Sequence, residues 1–123
     1  KDRLILGKER YLSGDFGDAA YFAYSTMVIS AKALLLSDDV RCNTHKKIIS
    51  DFSEHFVKEG RIAFNGDFEA YVLQYNAQKP TQEFVKEYLT IAEEFLANCI
   101  AFRESSLKEN GIDKKVVDSY YKA

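Results

Sequence analysis

The apolar positions of this chain recur at steps of three and four over most of its length, and that period predicts helices. The densest run is Ala19 to Leu36, AAYFAYSTMVISAKALLL, in which Lys32 is the only charge. Phe16, Ala20, Ala23, Met27, Ala31 and Leu34 share one helical face there, and Tyr21, Tyr24, Val28 and Leu35 form a second apolar face beside it. A helix apolar on most sides lies inside protein or inside lipid. Ser25, Thr26, Ser30, Lys32 and the two tyrosines argue against lipid, and the run barely reaches the length of a span. The expectation is a central core helix that other helices must cover.

The remaining elements follow from the same periodicity and from capping residues. A first helix is expected over Asp2–Leu12, with Leu4, Ile5, Tyr11 and Leu12 on one side and Arg3, Lys8 and Arg10 on the other. Gly14 to Asp18 makes the reversal, with Asp15 or Asp18 as N-cap, and the core helix stops at Ser37-Asp38-Asp39. A third helix starts near Asn43 or Thr44, carries Ile48, Ile49, Phe52, Phe56 and Val57, and stops at Gly60. Gly66-Asp67 opens a short fourth helix with Phe68, Tyr71, Val72 and Tyr75. Pro80-Thr81 starts a long fifth, whose apolar face reads Phe84, Tyr88, Ile91, Phe95, Cys99 and Phe102. Asn110-Gly111 punctuates, and Asp113 caps a last short helix with Ile112 and Val117 spaced for a hydrophobic staple. Alternation of the strand type does not persist, so the fold class expected is all-α, an up-and-down bundle of four to five helices plus a short C-terminal helix. No linker or repeat divides residues 1–123, which read as a single helical domain.

Composition refines this only in places. With 46% hydrophobic residues the chain can fill a core, and a net charge of −2 excludes a globally basic nucleic-acid footprint. Cys42 and Cys99 form no CxxC pair and no ligand set, so a reduced, cytoplasmic compartment is expected. No signal-peptide core opens the chain, and it begins at Lys1 rather than Met, consistent with a C-terminal piece of a longer protein.

Candidate chemistry concentrates in Arg41, Asn43, Thr44, His45, Lys46 and Lys47, around the start of the third helix. Lysines in a first turn oppose the helix dipole, whereas free backbone N–H groups and cations at that end suit an anion of phosphate size. His45 has the side-chain type for general acid–base work, and Arg41 could steady a phosphate through its forked donors. No metal site is expected: His45 and His55, ten residues apart, would sit about 15 Å apart along one helix. The aromatic series Phe64, Phe68, Tyr71, Tyr75 reads as core rather than as a base-stacking platform, Lys32 as a snorkelling lysine, and Asp38-Asp39 and Glu93-Glu94 as solvated.

Several of these strings resemble HEPN domains. Ala23-Tyr24 through Ala31-Lys32-Ala33-Leu34-Leu35-Leu36 is similar to the family's AYYAMFHAARALL-like second helix. Asn43-Thr44-His45, Ile48-Ile49, Phe52 and Phe56-Val57-Lys58-Glu59-Gly60 resemble its THxxVIxxFxxxFVKxG stretch, and Glu83-Phe84 to Phe95-Leu96 its closing helix. The resemblance spans about Leu4 to Phe102. It implies a bundle that is commonly a homodimer, and often a partner of a nucleotidyltransferase or part of a larger protein. Many members cleave RNA without a metal through an R-x(4–6)-H motif at the dimer interface; here Arg41 and His45 enclose three residues, one fewer than that spacing.

The stretches GDFGDAAYFAYS and CNTHKKIISDF look especially like the HEPN-like domain appended to the C-terminus of siroheme nitrite/sulfite reductases. In such a parent, siroheme and a 4Fe-4S cluster would lie upstream, and no cofactor is expected in this chain. The leading expectation is therefore a non-catalytic interaction or regulatory module with an anion or nucleotide-phosphate site at Arg41, Asn43, Thr44, His45, Lys46 and Lys47. The alternatives are a dimeric ribonuclease using His45 and Arg41, and a nucleotide-binding partner of a nucleotidyltransferase. Expected partners are a second copy, a parent enzyme, a nucleotide or RNA; neither a membrane nor DNA is expected.

Overall fold

A computed structural model describes the chain over residues 2–64 and 66–109. It is all-α among those residues: α1 (Asp2–Leu12), α2 (Phe16–Ser37), α3 (His45–Phe52), α4 (Phe68–Val72), α5 (Gln74–Ala77) and α6 (Gln82–Glu109). The expected terminal helix at Asp113, with its Ile112–Val117 staple, lies outside the described residues.

The helix α2 is the post of the bundle and packs against α6, α1 and α3. Ala19, Ala23, Met27, Ala31, Leu34 and Leu35 on it are completely excluded from solvent. It is also long and apolar enough to cross a membrane by composition, and 67% of its most apolar window is buried inside this fold. Polar side chains survive in that setting because they bond along their own helix. Thr26 Oγ1 donates to the Phe22 carbonyl at 2.8 Å, and Ser30 Oγ donates to the Thr26 carbonyl at 2.7 Å. Lys32 emerges at the surface, as a snorkelling side chain should.

The helix α1 closes one side of α2 through Gly7 rather than through its larger residues. A Cβ at Gly7 would stand 2.9 Å from Leu89 Cδ2 and 3.2 Å from Phe22 Cβ, so α1, α2 and α6 approach closely there and a larger residue would make the Leu89 side chain and Phe22 shift. Leu4 and Gly7 are the buried residues of α1, while Ile5 and Leu12, expected on the inner side, are 55% and 84% exposed. The buried face of α6 runs through Val85, Tyr88, Leu89, Ala92, Phe95, Leu96 and Cys99, while Phe84, Ile91 and Phe102 of the expected stripe are only half-buried. Glu93, exposed as expected, also meets Lys8 of α1 at 2.5 Å across the same seam.

On the other side of the core, α3 does not end at Gly60 as one regular helix. Residues Ser53–Val57 wind into a wider π-helical turn, in which the Lys58 N–H donates to the Ser53 carbonyl at 2.9 Å. Phe52 and Phe56 on successive turns stack with centroids 4.9 Å apart, both fully buried. Gly60 then takes φ 72°, and the N–H groups of Arg61 and Ile62 both donate to the Phe56 carbonyl. Arg61 folds over this turn, with its guanidinium 4.2 Å from the Phe56 centroid and donating to both Asp38 oxygens, at 2.6 and 3.3 Å. Asp38, exposed as expected, thus also latches the end of α2 to the turn that follows α3.

The expected fourth helix is two short ones. The chain breaks at Leu73 without glycine or proline, and the Tyr88 hydroxyl donates to the freed Val72 carbonyl at 2.6 Å. Truncating the core at its centre tests this packing. Leu34→Ala or Met27→Ala should lower the unfolding free energy by about 2–5 kcal/mol in urea denaturation, and a loss below about 1 kcal/mol would mean that α2 is not the packed centre.

Candidate functional site

The basic segment lies where the loop after α2 enters α3. Thr44 adopts the extended N-cap conformation, and its hydroxyl accepts from the Lys47 N–H at 3.2 Å. This cap faces Lys46 and Lys47 to solvent with Ser50 and Asp51 one turn on, around a shallow depression of about 320 Å³. Asp51 is the acid within it. It lies 3.4 Å from Lys47 Nζ and accepts from the Cys42 thiol at 3.2 Å. The thiol bond, ahead of opposing burial and of Lys47, holds the Asp51 carboxyl below its usual range. Burial first, then Asp51, raises the Cys42 thiol, which is therefore a protonated donor that ties the loop to α3.

The predicted residues do not converge on one point. His45 is absent from the lining of the depression and turns toward α2, where its Nδ1 lies 3.1 Å from the Tyr24 hydroxyl. Tyr24 in turn stacks on Tyr75 of α5 at 4.9 Å, and Tyr21 edges the same group 6.0 Å from Tyr75. Burial, followed by Tyr75 and Tyr21, raises the Tyr24 phenol, so it is protonated at neutral pH. It can donate to an unprotonated Nδ1, or accept from an Nδ1–H and leave Nε2 as the free base. Arg41 and Asn43 stand exposed on the loop, and among the described residues Arg41 makes no hydrogen bond or ion pair.

The Tyr24–His45–Tyr75 group was not foreseen from sequence. Its one local signal is a tyrosine on an almost wholly buried helix, since a buried phenol needs a partner for its hydroxyl. The aromatic series behaves as core at Phe68, which is 1% exposed, but the break at Leu73 lets Tyr75 leave that row and join Tyr24.

Among the described residues no group of three or more His, Cys, Asp or Glu side chains is placed to hold a metal ion. The two cysteines do not fit a cluster either. Cys99 is wholly buried in the core, its thiol raised by that burial, and Cys42 is committed to Asp51. No family model matches the chain, and no curated protein and no solved structure matches it.

Replacing Cys42 by Ala removes the largest interaction that depresses Asp51. The depressed carboxyl contributes stability that is present above its unfolded value of 3.8 and is lost as pH falls through the lower folded value. Cys42→Ala should therefore raise the Asp51 titration midpoint in a carbon-detected NMR titration, and its stability deficit should shrink on acidification below that range. An unmoved Asp51 midpoint would show that the thiol contact is incidental.

Proposed function

We propose that this chain is a non-catalytic, HEPN-like helical module that works by binding, with an anion or nucleotide phosphate as ligand at the start of α3 and an attachment to a nitrite/sulfite reductase as its setting. The supporting observation is the splitting of the predicted pair. His45 turns to Tyr24 of α2 and is absent from the lysine-lined depression, while Arg41 bonds to nothing that would aim it at the same phosphate. What remains is a capped helix start with Lys46 free of an ion pair among the described residues, Arg41 on the approaching loop, and Asp51 offset by Lys47. The up-and-down HEPN-like arrangement and pairing of two copies belong to the same reading. So does a cytoplasmic location. The arrangement and the pairing rest on the sequence resemblance, and the location on the cysteine usage.

One observation favours a second reading. A phenol on Nδ1 can orient an imidazole for work at Nε2, so a ribonuclease built around His45 has a physical basis in the Tyr24 contact. Two measurements separate them. Calorimetric titration with ATP should give saturable heat that Arg41→Ala and Lys46→Ala each weaken by about fivefold, and RNA incubated with the native chain should stay intact. Cleavage that His45→Ala abolishes would overturn the non-catalytic reading, and an absence of heat with both ATP and inorganic phosphate would remove the anion site.

A further inference from the structure

A second concavity lies away from the basic end of α3. On α6, Ile91, Glu94, Phe95 and Asn98 recur at helical spacing and face the loop after α3 and Tyr71 of α4, leaving a cleft of about 600 Å³. That volume is within the range of small-molecule sites. Its walls are part apolar and part polar. Phe64 and Phe95 pack edge to face at 6.3 Å beside the half-buried Ile91. Its polar side chains are the Glu94 carboxylate, the Asn98 amide and the Tyr71 hydroxyl, none of which has a hydrogen-bond or ionic partner among the described residues.

Among the described residues the charge in this cleft has one sign, and Glu94 is the sole ionic side chain lining it. The cations nearest in sequence are engaged elsewhere, Lys58 by Glu54 at 2.6 Å and Arg61 by Asp38 at 2.6 Å. Glu93, beside Glu94 in sequence, is answered by Lys8, whereas Glu94 is not. The Tyr71 phenol, pushed up to about 12 by burial and then by Glu87 and Glu94, reports the same negative surroundings. An aromatic patch on one side, with one unanswered carboxylate and two neutral hydrogen-bonding groups on the other, complements a cation with a hydrophobic body.

We propose that this cleft binds a small arylalkylamine in its ammonium form. The ring lies among Phe64, Ile91 and Phe95. The ammonium, a donor of three hydrogen bonds, is received by the Glu94 carboxylate, the Asn98 carbonyl oxygen and the Tyr71 phenolic oxygen. The same carboxylate repels phosphates and nucleotides, so this site is chemically distinct from the basic end of α3 and independent of the function proposed for it.

The test is an amide NMR titration of the intact chain with phenethylamine, and with 3-phenylpropionate as an anion of similar shape. Phenethylamine should shift amides around Phe64, Tyr71 and Ile91 to Asn98 in a saturable way, and phenylpropionate should not. Glu94→Gln, an exposed and nearly isosteric change, should weaken the amine by about fivefold with unchanged thermal unfolding, and Asn98→Asp should tighten it. Equal response to amine and carboxylate, shifts confined to other surfaces, no shift at all, or an unchanged Glu94→Gln affinity would each overturn the proposal.

Discussion

The burial of α2 on nearly every side is the constraint on which the rest of the fold depends. A helix with so much apolar surface must be enclosed, and no other helix of this chain can enclose it alone. The helices α1, α3 and α6 therefore take different faces of it, and their own residue choices follow from that division. Gly7 allows α1 to come close enough that α6 can touch both partners. The stacked Phe52 and Phe56 seal the opposite side, at the expense of a regular end to α3. Thr26 and Ser30 on α2 need no outside partner because the preceding turn accepts their hydroxyl protons.

The same constraint positions the functional surface. The helix α2 carries Tyr24 on an inward-facing turn with its hydroxyl directed at α3, and that hydroxyl receives His45. The end of α2 carries Asp38, which holds Arg61 and with it the loop that walls the acidic cleft. Two concavities of opposite character result. One has Lys46 and Lys47 beside a helix start, and the other has Glu94 among aromatic rings. Their separation follows from α6 and α3 covering α2 from different directions.

How much of this was legible in the sequence depends on range. The bounds of α1 and the caps at Thr44, Asp67 and Thr81 are local, and the residues that set them lie within four positions of the turn they stabilise. The core character of Ala19 to Leu36 was equally plain, since so low a charge density has few alternatives. The inner faces of α1 and α6 were legible in part: Leu4, Tyr88, Phe95 and Cys99 are buried, Ile5 and Leu12 are exposed, and the close approach of three helices at Gly7 is invisible to periodicity. The break at Leu73 carries no glycine or proline, and the Val72 carbonyl there accepts from the distant Tyr88 hydroxyl. At the site, the residues of the basic segment were found but not their division, because the partner of His45 is twenty-one positions away on another helix. The acids read as solvated are exposed, and the pairing of Asp38 with Arg61 and of Glu93 with Lys8 escaped notice for the same reason.

Native-state hydrogen exchange on the amides of α2 tests the central claim most directly. If α2 is the post that the other helices enclose, the amides from Ala23 to Leu34 open only with global unfolding. They should be the slowest-exchanging in the chain, with opening free energies equal to the unfolding free energy from denaturant titration. Exchange of α2 through local openings, at lower free energy than α6, would contradict a fold organised around a buried central helix.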